Sequence, residues 1–146
     1  MLIEGTLRTL SEATREAAHA GIARIVEHVA AAHGARAEVE IIPGFPVTVC
    51  DGRITDLAAQ TARALYGEEG WVTMTHPLMG AEDFSYILQK SPGAMVFLGA
   101  APEGGDYRTC CALHSNRMVL NEDVMARGIA MHCAMAEAAL TTELDL

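Results

Sequence analysis

Pro43-Gly44-Phe45-Pro46 places two prolines and a glycine in four consecutive residues. Proline fixes φ and has no backbone donor, so this stretch continues neither a helix nor a central strand. It divides the chain into a short leading part, 1–43, and a longer part, 44–146, and each must be read separately. In the leading part, Met1 to Thr9 alternates weakly and predicts a strand. Ser11 is an N-cap candidate with Glu12 in the first turn, where the helix dipole favours negative charge. Ile22, Ile25, Val26 and Val29 fall on one helical face, and Gly34 fits the position that ends a helix. Ala35 to Ile42 alternates again. Residues 1–42 therefore read β-α-β.

Beyond the breaker, Val47 to Cys50 is a short apolar run, and Ile54 to Tyr66 reads as a helix closed by Gly67. A short strand is expected at Trp71 to Thr75, a short helix over Ala81 to Gln89, and an apolar strand over Ala94 to Leu98. Gly99 to Asn116 is loop-like. Asn121 is expected to cap a last helix whose stripe is Met125, Ile129, Cys133, Ala136 and Leu140. The expected class is α/β.

Composition excludes several functions. Of 146 residues, 51% are hydrophobic and 20% charged, which is a globular balance. Nineteen acidic against 10 basic residues give a net charge of −9, with no Lys/Arg cluster to neutralise phosphates, so nucleic acid is not an expected partner. No run approaches the roughly 18 apolar residues of a membrane span. No basic start followed by an apolar run marks a secretory signal, so the four cysteines are expected reduced and the setting cytoplasmic.

Two segments carry candidate chemistry. Gly80-Ala81-Glu82-Asp83-Phe84 sets two carboxylates at a helix start behind a glycine. One reading is the ordinary preference for acidic residues in a first turn; the other is a backbone-amide nest for a substrate carboxylate. His114 stands in a polar loop, where an imidazole either faces solvent or ligates a metal and moves protons. Cys110, Cys111, His114, His132 and Cys133 lack the usual C-x₂₋₄-C and H-x₃₋₅-H spacing of a structural zinc site.

Taken in order, several segments resemble the closing portion of the M20 family of metallopeptidases and amidohydrolases, in the branch of hippurate, N-acyl-amino-acid and indole-acetyl-amino-acid hydrolases. Gly5-Thr6-Leu7-Arg8-Thr9 is similar to the family's G-T-[LIV]-R-T strand. Gly44 to Asp51 resembles G-Y-P-P-T-V-N-D, with Cys50 where asparagine is expected. Gly80 to Phe84 matches G-A-E-D-F, Pro92 to Gly99 the following P-G-x-x-x-x-L-G, and Leu113-His114-Ser115 the L-H-S before the final helix. Asn121-Glu122-Asp123 stands where the family has D-D-E.

The resemblance implies part of a zinc-peptidase-like catalytic domain (44–146) plus half of a ferredoxin-like dimerisation, or lid, domain (1–43). It further implies a homodimer, and two divalent metal ions, zinc or manganese, in the complete enzyme. It places one metal ligand here, His114, and substrate contacts at Gly80, Ala81 and Glu82. No catalytic base carries over, so the N-terminal half is expected to be missing and the isolated chain inert. The implied reaction is cleavage of the amide bond of N-acyl amino acids by metal-activated water. The alternatives are a non-catalytic dimerisation module derived from such an enzyme and, less in keeping with the spacing, an independent zinc protein.

Overall fold

The computed structural model describes residues 1–104 and 113–142. Their regular structure is helical: α1 (Glu12–Ala32), α2 (Gly52–Tyr66), a 3₁₀ turn at Glu68–Gly70, α3 (Phe84–Leu88) and α4 (Val124–Thr141). The chain falls into two units, Met1–Val49 with Met74–Pro92, and Cys50–Thr73 with Gly93–Leu146.

In the first unit α1 is bounded by strictly local chemistry. Ser11 is extended (φ −152°, ψ 152°), and its Oγ accepts the Thr14 N–H at 3.1 Å. At the other end Gly34 takes φ +67°, its N–H donates to Ala31 O at 3.0 Å, and the Ala35 N–H donates to Ala30 O at 2.9 Å. That pair of bonds is a Schellman motif, and the positive φ is why glycine stands there. The breaker segment is then clamped to the first turn of α1. Val47 N–H donates to Glu12 Oε1 at 2.8 Å, Arg15 donates to Gly44 O at 3.2 Å, and Arg15 and Glu12 pair at 3.1 Å. The predicted stripe of α1 exists as a face, yet Ile22, Ile25 and Val29 stay open to solvent and no α1 residue is buried.

In the second unit the core is small and lies on α2, where Leu57, Ala58, Ala59, Thr61 and Ala62 are buried. Asp51 caps this helix, accepting the Arg53 N–H at 2.9 Å, and the Arg53 guanidinium returns to clasp both carboxylate oxygens at 3.0 and 2.6 Å. Gly67, at φ +81°, ends it. The helix α4 packs on α2. Tyr66 Oη donates to Arg127 O at 2.7 Å, and the Arg127 guanidinium lies 5.6 Å from the centre of the Tyr66 ring.

Two expectations change. The half-buried residues of α4 are Val124, Gly128, Met131, Ala134, Met135 and Ala138, whereas the expected stripe of Met125, Ile129, Cys133, Ala136 and Leu140 is exposed. The strands expected at 1–9, 35–42, 71–75 and 94–98 form no ladder among the described residues, nor does the apolar run 47–50. Strand conformation is held by cross-strand partners, and these segments find none. The nearest approach to pairing joins 50–51 to 93–95: Asp51 N–H donates to Gly93 O at 2.8 Å, and Met95 N–H to Cys50 Sγ at 3.3 Å. The α/β expectation thus finds its helices here and not its sheet.

No helix among the described residues is long and apolar enough to cross a membrane.

Candidate functional site

Gly80, Ala81 and Glu82 lie in an exposed loop of the first unit that leads into α3. The turn is closed by backbone bonds, Ser85 N–H to Glu82 O at 3.2 Å and Tyr86 N–H to Asp83 O at 3.0 Å. The Ser85 hydroxyl also donates to Glu82 O, which accounts for a fully buried serine. Asp83 is in the αR region with no side-chain capping bond. Two amide donors of the first turn are therefore already used, and α3 has five residues, too few to sum a large dipole. The loop offers exposed carboxylates and a Gly80 whose surroundings are open: a Cβ added there meets nothing within 4 Å. Behind α3, Tyr86 stacks edge-on against Phe45 at 5.9 Å. A recess of about 290 Å³ lined by Leu10, Val47, Val49, Ser85, Leu88 and Gln89 separates α3 from the start of α1.

His114 lies in the second unit. It is exposed, and among the described residues it is the one non-glycine with positive φ, +69°. The left-handed region costs an L-residue energy, although histidine visits it more readily than most. Strained backbone of this kind gathers at functional positions. The chain after it is fixed at close range. Ser115 O accepts the Met118 N–H at 3.1 Å, and Ser115 Oγ accepts the Arg117 N–H at 3.1 Å. Asn121 then donates its N–H to Ala100 O at 2.9 Å and accepts the Asp123 N–H at 3.0 Å, setting the start of α4.

Among the described residues no group of three His, Cys, Asp or Glu is placed to hold a metal ion. By themselves they do not fit a metal pair, since a catalytic metal generally takes three protein ligands and His114 offers one. Cys110 and Cys111 lie outside the described residues; Cys50 and Cys133 are free, exposed thiols. Among the described residues the most perturbed carboxylate is Asp51. The Arg53 guanidinium and N–H bonded to it lower its pKa from 3.8 to about 2. Sequence reasoning passed over the Asp51–Arg53 clasp and the Glu12–Arg15 clamp. The i, i+2 spacing of opposite charges signalled the first; nothing signals contacts between residues 12 and 47.

The sequence profile of peptidase family M20/M25/M40 matches residues 4–138. The chain belongs to this family. Among M20 relatives it is 34% identical over 137 residues to thermostable carboxypeptidase 2 of Saccharolobus solfataricus, covering 92% of this chain and 33% of the relative. It is 33% identical over 138 residues to IAA-amino acid hydrolase ILR1-like 2 of Arabidopsis thaliana, covering 92% and 30%. It is 27% identical over 134 residues to the hippurate hydrolase of Campylobacter jejuni, covering 92% and 33%. The chain thus spans about a third of the length of the curated relatives it matches.

Proposed function

We propose that this chain is the C-terminal portion of an M20 amidohydrolase that cleaves the amide bond of N-acyl amino acids, and that it is inert alone. Residues 1–43 would complete a ferredoxin-like lid through which subunits pair into a homodimer. Residues 44–146 would complete an α/β catalytic domain whose sheet forms once partner strands are supplied. Gly80, Ala81 and Glu82 would line the substrate pocket. A cytoplasmic setting accords with the acidic surface and the free thiols. In the complete enzyme His114 would give one imidazole to divalent metal ions, zinc or manganese, which would supply Lewis-acid activation of an amide and a water.

The observation that carries this reading is the backbone of His114. A surface imidazole needs no left-handed φ, and a ligand aimed by a tight turn has reason to bear it. The test combines the 146-residue chain with the remaining two-thirds of an M20 subunit and follows hippurate hydrolysis in zinc or manganese. Turnover is expected only from the combination, and His114→Gly should abolish it. Glycine relaxes the backbone at φ +69°, so the same variant should be as stable as wild type or more so. Turnover by the chain alone, or full activity in His114→Gly, overturns the proposal.

A further inference from the structure

The helix α4 is apolar on two opposite sides. At about 100° per residue, Val124, Gly128, Met131, Met135 and Ala138 form the side packed on α2. Met125, Ile129, Cys133, Ala136 and Leu140, with Ala126 and Ala130, form the opposite side, in which Glu137 falls between Ala126 and Ala130. That second side is open: Met125 is 59% exposed, Ile129 66% and Leu140 88%. A helix on a finished surface carries mostly polar residues on its outward side, whereas this side of α4 is mostly apolar.

We infer that the Met125–Ile129–Cys133–Leu140 side of α4 is the docking surface for the two-thirds of an M20 subunit that lies outside the matched stretch. The inference rests on the proposed function for the identity of the occupant. The relatives supply the length: each carries about twice as much chain again as this protein spans. A polypeptide face rich in aliphatic side chains fits a strip with seven apolar positions and the single carboxylate of Glu137. Cys133, at the centre of the strip, is a free exposed thiol and reports on whether it is covered.

The experiment mixes the full chain with each of two polypeptides, the parts of thermostable carboxypeptidase 2 and of the hippurate hydrolase outside their matched stretches. Maleimide labelling of each cysteine is followed by mass spectrometry, and assembly by sedimentation. The expected result is a heteromeric complex with at least one of them, in which Cys133 loses its reactivity. Ile129→Asp, on the open side, should prevent assembly while keeping the helical circular dichroism of the free chain; Met125→Asp repeats the test one turn away. Four results overturn the inference: no complex with either polypeptide, a complex in which Cys133 stays reactive, normal assembly of both variants, or Cys133 protected in the chain alone by self-association. The outcome is separable from that of the proposed function. An assembled, Cys133-protected complex without hydrolysis counts against the catalytic reading only, and hydrolysis with Cys133 open counts against this inference only.

Discussion

Gly70 and Gly128 present the same substitution in two opposite settings. A Cβ built on Gly70 falls 2.6 Å from Tyr66 Cβ and 3.0 Å from Ala62 O. Carbon atoms in contact sit about 3.5–4.0 Å apart, so the first contact is short by about 1 Å. Neither neighbour can swing away, because one is fixed to the backbone of α2 and the other belongs to it. Gly70→Ala must therefore lift the Glu68–Gly70 turn off the end of α2 and disturb Tyr66, which ties α2 to α4. Overpacking of this kind costs about 1–3 kcal/mol. At about 3 °C per kcal/mol for a chain of this size, the melting temperature falls by about 3–9 °C. On Gly128 the nearest atom is Leu98 Cδ2 at 3.2 Å, the far end of a flexible side chain that yields by a few tenths of an ångström. Alanine inside α4 gains roughly 0.8–1 kcal/mol of helix propensity, so Gly128→Ala is expected to be neutral or stabilising. Urea and thermal unfolding by far-UV circular dichroism measure both, and the emission of Trp71, next to Gly70, reads the local displacement. Equal effects, or a Gly70→Ala loss under about 0.5 kcal/mol with unchanged Trp71 emission, would refute the packing argument.

The Asp51–Arg53 clasp predicts a pH dependence. Asp51 has its pKa lowered to about 2 in the folded chain, so its charged form is favoured by folding. The contribution is complete above the ordinary value of 3.8 and is lost as pH falls toward 2. Asp51→Asn retains a capping oxygen and removes the charge. The advantage of wild type over this variant should shrink between about pH 4 and pH 2 in acid unfolding; a constant gap across that range contradicts the assignment. Ser11→Ala removes the oxygen that accepts the Thr14 N–H and should cost about 1 kcal/mol. Faster amide exchange at Thr14, with the α2 amides unaffected, is the expected signature, and unchanged exchange at Thr14 is the contrary one.

The parts of the fold legible in the sequence are those written within about five residues. Ser11, Gly34 and Gly67 end helices through bonds to near neighbours, so residue type alone locates them. The sequence places the start of α2 at Ile54; the structure starts it at Gly52, where the Asp51 side chain supplies the cap. Motif order also survives at this range, since G-A-E-D-F and L-H-S are contiguous strings. The left-handed backbone of His114 is not legible, because histidine, though enriched in that region over most residues, still occupies it rarely.

Range also accounts for what failed. Periodicity shows that a helix has an apolar side and does not say which side meets a neighbour; on α4, apolar twice over, the stripe centred on Cys133 and the one centred on Met131 were equally good by pattern. The choice was made by α2, about 70 residues earlier in sequence, through Tyr66 and Arg127. Strands are the extreme case. Every backbone bond of a strand is made to another segment, so alternation in Met1 to Thr9 or Ala35 to Ile42 records a demand and not its fulfilment. The unformed ladders and the open side of α4 are therefore one phenomenon. Signals satisfied within the chain have produced helices, and signals that require a partner persist as exposed apolar surface. It follows that adding the partner should change both together: strand content should rise in the same transition that closes Cys133. A complex that protects Cys133 with no gain of sheet signal would show that the two demands have separate origins.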